Sequence, residues 1–231
     1  TGTYIIGRGQ VAVIDPGPEN DNHIAAILEG IPGEEISHIV VTHTHKDHSP
    51  ASRALQTATG APIYGFGRHP VLPEEEVDRS RPTTWDLLLP TPEELEELKK
   101  SMAFPSDDEN EHEQDEPGDM AFNPDVEVGH GDLIKGGTWT LEAIHTPGHI
   151  SNHLCFGFKE EKSLFSGDHV MGWSTSVIPS PEGSMGEYMD SLHLLLDRSD
   201  QFFYPTHGPR IPEPIAFTRA LIAHRQDMVR Q

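Results

Sequence analysis

A single cysteine, Cys155, stands in 231 residues, so no intrachain disulfide can form and nothing points to an oxidising compartment. Its surroundings, Asn152-His153-Leu154-Cys155-Phe156, read as a strand, and the thiol is expected to be a buried packing group. Basic residues are scarce as well: 16 Lys and Arg face 38 Asp and Glu, a formal net charge of -22. Such a surface repels polyanions at long range and disfavours tight non-specific nucleic-acid binding. No apolar run approaches the ~20 residues that cross a bilayer, so no membrane partner is expected. No signal-peptide pattern precedes Tyr4-Ile5-Ile6-Gly7, and a cytoplasmic location is the expectation. Because the chain opens inside strand-like sequence, this reading leaves room for an upstream signal.

Histidine, by contrast, is abundant, with 15 in the chain. Four metal-ligand types crowd Val40-Val41-Thr42-His43-Thr44-His45-Lys46-Asp47-His48-Ser49-Pro50. The apolar run Ile39-Val40-Val41 reads as a buried strand, and the ligand types fall in the loop after it. If strand geometry persists, His43 and His45 point the same way, while the turn to Asp47 and His48 aims a second pair at a neighbouring point.

Along the chain, strands are expected over residues 3–6 and 10–14, joined by a hairpin at Gly7-Arg8-Gly9, and Asp15-Pro16-Gly17-Pro18 is a turn. Asn20 or Asp21 caps a helix through Ile24, Ile27 and Leu28. A central strand over 37–42 follows, then a helix with Ser49 as N-cap, Pro50 in its first turn and Gly60 at its end. With a strand over 61–66 the order is ββαβαβ, an α/β pattern. Residues 67–125 break it, with a helix expected over 92–102 and an acidic run over 107–116 that reads as a solvated, mobile loop. From Val126 the β pattern returns, with strands over 138–144, 152–158, 163–166 and 202–205 and helices over 186–196 and 213–229. The length fits one domain over 1–231 carrying a mobile acidic insertion at about 104–120.

Three further ligand types stand just past β-rich runs and beside glycines: His149 in Thr146-Pro147-Gly148-His149, Asp168 in Ser166-Gly167-Asp168, and His207 in Thr206-His207-Gly208. Together with His43, His45, Asp47 and His48 they make five imidazoles and two carboxylates without a thiolate. That donor set suits zinc, with iron or manganese as alternatives. Seven donors are too many for one tetrahedral ion and fit two if one carboxylate bridges. His145, His153 and His169 adjoin these positions and read as groups that orient ligands. His23, His38, His69, His112, His130, His193 and His224 read as ordinary hydrogen-bonding histidines.

These residues resemble the metallo-β-lactamase superfamily, whose His-x-His-x-Asp-His hallmark stands here as His43-Thr44-His45-Lys46-Asp47-His48, with His149, Asp168 and His207 matching its later motifs in order. The resemblance spans nearly the whole chain except about 72–125. It implies an αββα sandwich, two mixed sheets packed together with helices outside, and metals at one edge between the sheets. It also implies that His43, His45 and His149 hold one metal, Asp47, His48 and His207 the other, and that Asp168 bridges them. The segments around Ser166-Gly167-Asp168-His169, Tyr188-Met189-Asp190 and Tyr204-Pro205-Thr206-His207 are similar to the β-lactamase-like-protein-two group, some of whose members cleave single-stranded RNA.

The expected activity is therefore that of a dinuclear zinc-dependent hydrolase, in which a metal-bridging hydroxide attacks the carbonyl of a β-lactam, lactone, ester or thioester. Asp47 is the expected proton carrier, and Trp173, Ser174 and Thr175 follow Asp168 closely enough to line a substrate pocket. The alternative is an endoribonuclease or phosphodiesterase acting on single-stranded RNA. A small molecule is preferred over RNA because only Arg210, Arg219, Arg225 and Arg230 form a suggestive basic group. The relatives that cleave RNA carry a further C-terminal module beyond the point matching Gln231. A glutathione thioester is disfavoured, since His169-Val170-Met171-Gly172 stands where that family has Cys-Gly-Arg. A third reading is a metal-binding module without catalysis. The oligomeric state is left open.

Overall fold

Strand β1 (Tyr4–Arg8) pairs antiparallel with β2 (Gln10–Ile14), from Tyr4 opposite Ile14 to Arg8 opposite Gln10. The hairpin is the expected one, but Gly7 lies inside β1 rather than in the turn. Trp139 explains this: a Cβ on Gly7 would come within 2.4 Å of its ring, and φ there is +99°. The computed structural model describes residues 1–71, 118–179 and 181–230. The expected helix over 92–102, the acidic run over 107–116 and His112 lie outside the described residues, as does most of the insertion at 104–120.

Helix α1 (Asp21–Glu29) starts at Asn20, whose side-chain oxygen accepts from the backbone N–H of Asn22 and His23. Strand β3 (Glu35–Val40) runs parallel to β2. It ends earlier than residue 42 because the Thr42 N–H turns to Oδ1 of Asp15, 2.7 Å away. Helix α2 (Ala51–Thr59) follows Pro50, and Gly60 closes it at φ 78°. Ser49 does not cap this helix as expected; its hydroxyl donates to Oδ2 of Asp119. Strands β4 (Ile63–Gly65) and β5 (Val126–Glu127) complete a five-stranded sheet in the order β1-β2-β3-β4-β5.

The second sheet also has five strands, β6 (Leu133–Lys135), β7 (Thr140–His145), β8 (Leu154–Phe158), β9 (Ser163–Gly167) and β10 (Phe202–Pro205), in the order β10-β9-β8-β7-β6. Only β9 and β10 are parallel in it. Helices α3 (Met185–Leu196) and α4 (Pro214–Arg230) cover its outer face. Among the described residues no helix is long and apolar enough to cross a membrane.

Strand alternation builds the layers. On β2, Ala12 and Ile14 face the second sheet, where they join Leu141, Ala143, Leu154 and Phe156, while Val11 and Val13 pack with Ile24, Ile27 and Leu55 of α1 and α2. On the other side Ile144, Cys155 and Leu164 pack under Tyr188, Leu192 and Leu221. Each fully buried Leu, Ile or Phe here contributes about 1.5–3 kcal/mol of transfer free energy. Two mixed sheets with helices outside are the αββα sandwich that the motifs implied.

The pairing directions fix where chemistry collects. β7, β9 and β10 point the same way in one sheet, as do β2 and β3 in the other. The residues just past these five strands are Thr146 to His149, Asp168, Thr206 and His207, Asp15, and His43 to His48. They meet at one edge between the sheets, where the Leu154 N–H donates to the Thr42 carbonyl across the gap.

Candidate metal centre

Nε2 of His43 and Nε2 of His149 lie 3.1 and 3.0 Å from Nδ1 of His45. Nε2 of His48 and Nε2 of His207 lie 3.1 and 3.0 Å from Oδ2 of Asp47. Between the two groups stands Oδ2 of Asp168, at 3.8 Å from His43, 3.7 Å from His149, 3.4 Å from His48 and 3.5 Å from His207. Three sets of mutually close donor atoms result: His43, His45 and His149; His43, His48 and Asp168; Asp47, His48 and His207. All seven expected residues are thus brought together. The strand ends at Val40, so the loop rather than strand alternation turns His43 and His45 to one point.

A neutral imidazole carries one N–H, and the outer nitrogens show where it sits. Nδ1 of His149 is 2.6 Å from the Val177 carbonyl, which can only accept. Nδ1 of His48 is 3.0 Å from Oδ2 of Asp15. The Thr42 hydroxyl donates to Asp15, which leaves its oxygen to accept from Nδ1 of His43, 3.0 Å away. Each N–H is used outward, and the lone pairs of Nε2 on His43, His48 and His149 face the centre. Nε2 of His48 is buried and forms no hydrogen bond among the described residues, although the Asp47 carboxylate is at its side. Lone pairs facing lone pairs and carboxylates is the arrangement a cation resolves, so the residues present fit metal ions.

The electrostatics agree. Burial, reinforced by neighbouring imidazoles, holds His43 well below the usual imidazole range and lowers His149 to about 4, so both rings are neutral. Burial also opposes a charge on His48, but Asp168, Asp47 and Asp15 outweigh it and raise its pKa, so without a cation Nε2 of His48 holds a proton toward these carboxylates, at the position where a metal ion would take over its lone pair. Asp47 and Asp168 lose solvation by burial, yet the surrounding imidazoles hold both carboxyls below the ordinary range, and both are ionised.

Three residues join the site that sequence reasoning did not place there. Asp15, read as part of a turn, is fully buried at φ 48° and accepts from Thr42 and His48. Its signal was available, since an acid directly follows a buried strand as Asp168 does. Glu182 reaches Nε2 of His45 at 3.7 Å and Nε2 of His69 at 3.5 Å, and the proximity of these two rings lowers its carboxyl to about 2. His69, expected to be ordinary, is buried beside Thr44.

Of the histidines expected to orient ligands, His153 touches the group, its Nε2 accepting from the Asp168 N–H at 3.1 Å. His145 does not: its ring stacks on Phe66 and reaches the Ser151 carbonyl, because strand β7 turns it to the outside of the site. His169 packs on Tyr188. Trp173 comes to the site with its ring 6.0 Å from that of His207. Ser174 and Thr175 lie on the same segment, which reaches the ligands through the Val177 carbonyl. Gly118 forms an isolated bridge with His45, so the insertion returns beside the centre.

The family model of the metallo-beta-lactamase superfamily matches residues 2–207. Among curated proteins, lactamase-like protein adaB of Aspergillus niger is 29% identical over all of this chain and 57% of its own length. Atrochrysone carboxyl ACP thioesterase AacuM of Aspergillus aculeatus is 26% identical over 92% of this chain and 52% of its own length. The chain therefore spans about half the length of the curated relatives it matches. Among solved structures, a metallo-beta-lactamase family protein from Thermus thermophilus superposes with TM-score 0.65 at 22% identity, covering 97% of this chain and 74% of that one. ETHE1 from Myxococcus xanthus gives 0.64 at 19% identity, covering 99% and 83%. At these identities the structural likeness concerns the fold.

Proposed function

This chain belongs to the metallo-β-lactamase superfamily, and from that premise we propose that it is a dinuclear metal-dependent hydrolase of a carbonyl substrate, with a thioester ahead of an ester, lactone or β-lactam. The observation that carries the reading is the commitment of every outer imidazole nitrogen of His43, His48 and His149 to an acceptor, which leaves their lone pairs directed inward. His43, His45 and His149 would hold one ion, Asp47, His48 and His207 the other, and Asp168 would lie between them. The donor set suits zinc, with iron or manganese as alternatives; one fold neighbour was crystallised in a di-iron-bound form. When bound, such ions polarise a carbonyl oxygen and lower the pKa of a water toward neutrality.

The residues themselves divide the remaining work. His43, His48 and His149 are closed off, whereas the side chains of Asp47 and His207 keep 24% and 21% exposure, so substrate arrives on their side. Oδ2 of Asp47 would take the proton of an attacking water. Asp168 is kept in register by the Thr206 hydroxyl, which donates to Oδ1, and by His153 behind its backbone. Trp173 offers an apolar face beside His207 for the acyl part of the substrate, with Ser174 and Thr175 continuing that wall. The names of the thioesterase relatives support the thioester, and the net charge of -22 disfavours RNA.

A panel assay tests the choice: one preparation is offered an acyl thioester, a nitrophenyl ester, a lactone, a chromogenic cephalosporin and labelled single-stranded RNA. Turnover should be highest for the thioester. RNA cleavage exceeding every carbonyl substrate would overturn the assignment in favour of a phosphodiesterase.

A further inference from the structure

His45 differs from the other imidazoles of the centre in facing it with Nδ1, so its outer nitrogen is Nε2. That nitrogen lies 3.7 Å from Oε2 of Glu182, in the loop that leads into α3. The other oxygen, Oε1, lies 3.5 Å from Nε2 of His69. His45 and His69 are almost fully buried, while Glu182 keeps 30% of its side chain exposed.

Hydrogen-bond direction can be traced inward from the far end of this group. The side-chain nitrogen of Asn152 lies 3.2 Å from the Arg68 carbonyl, which only accepts, so this atom is the NH2 group and not the oxygen. The same NH2 donates to the Thr44 hydroxyl at 2.8 Å. Thr44 Oγ1 is therefore an acceptor toward Asn152, and its own proton is free for Nδ1 of His69, 2.8 Å away. The Glu182 carboxylate can only accept, so the His69 N–H belongs on Nε2, the nitrogen facing it, and Nδ1 is left to take the Thr44 proton. The ring has no room to move, since a Cβ on Gly118 would lie 1.7 Å from it. One oxygen of Glu182 is thus taken by the His69 N–H, and the other is left for His45.

We infer that Glu182 is a positioning residue for the metal group of His43, His45 and His149, fixing His45 with its proton on Nε2 and its Nδ1 lone pair toward the ion, and that His69, through Thr44 and Asn152, holds Glu182 in place. The inference rests on the reading of these three histidines as a metal site and extends it to the carboxylate behind the one of the three that turns Nδ1 toward the others. A carboxylate behind a ligating imidazole sharpens the ring's orientation and raises its basicity, and losing such a partner typically weakens metal binding 10–100-fold.

The test measures zinc affinity of the apo-protein by competition with a chromogenic chelator, for wild type, Glu182→Ala, Glu182→Gln and His69→Gln. The His45 tautomer is read in parallel from its imidazole 15N shifts in the zinc-free state. Expected is tight uptake by wild type, a roughly 10–100-fold loss at one site in Glu182→Ala, a smaller loss in Glu182→Gln and His69→Gln, and loss of the fixed Nε2–H form of His45. Thermal midpoints of the apo Glu182 variants should stay near wild type because Glu182 is partly exposed. Affinity and tautomer unchanged in Glu182→Ala would overturn the inference while leaving the metal reading intact. Absence of zinc uptake by wild type would overturn both.

Discussion

Nδ1 of His48 lies 3.0 Å from Oδ2 of Asp15, and neither side chain has any exposure to solvent. Asp15 also takes the Thr42 N–H and hydroxyl, so one carboxylate ties the ends of two parallel strands to His48. Asp15→Ala would leave three buried donors without an acceptor. A loss of about 3 kcal/mol in urea unfolding is expected, with weaker zinc uptake at the group that includes His48. Asp15→Asn keeps an acceptor for Thr42 and should lose less. An unchanged unfolding midpoint in Asp15→Ala would mean that His48 is held by something else.

Two glycines should respond with opposite signs. A Cβ on Gly148 would come within 2.3 Å of the Tyr188 Cα, and φ there is +136°, so Gly148→Ala must push α3 away from the loop that carries His149. A cost of about 3 kcal/mol is expected. Gly186 is exposed in α3 and a Cβ there meets nothing within 4 Å. Gly186→Ala should stabilise by about 0.5–1 kcal/mol. Thermal unfolding of the two variants side by side checks the pair, and equal shifts would contradict the packing described.

Alkaline pH should weaken the fold through two acids. Burial raises the Cys155 thiol from 9.0 to about 12, and burial aided by Asp15 raises the Tyr4 phenol from 10.0 to about 12. Both folded pKa values exceed the unfolded ones, so the stability they contribute is fully present below pH 9 and is lost as pH rises toward 12. Over that window the thiol alone accounts for a slope of about 1.4 kcal/mol per pH unit. Cys155→Ala should flatten the slope above pH 9. An identical pH profile would show that the thiol ionises freely in the native protein.

Much of this was readable from the chain because period-2 burial and strand-end turns are local signals. Ala12 and Ile14 alternate with Val11 and Val13 whatever the partner sheet, and all seven donors stand just past such runs. His69 and Glu182 carry no such signal. One follows β4 and the other precedes α3, and only the packing of Gly118 and Thr44 around them brings both to His45. The central strand ends early because the Asp15 side chain takes the Thr42 N–H, and the expected Ser49 cap is lost because its hydroxyl donates to Asp119.

The central claim is that the convergent imidazoles and carboxylates hold the ions that make this chain a hydrolase. Thioester turnover measured on one sample as purified, after exhaustive chelation, and after return of zinc, with Asp168→Ala alongside, tests it most directly. The expected result is activity abolished by chelation, restored by about two equivalents of zinc, and absent from Asp168→Ala under every condition. Turnover that survives both metal removal and the Asp168→Ala substitution would contradict it.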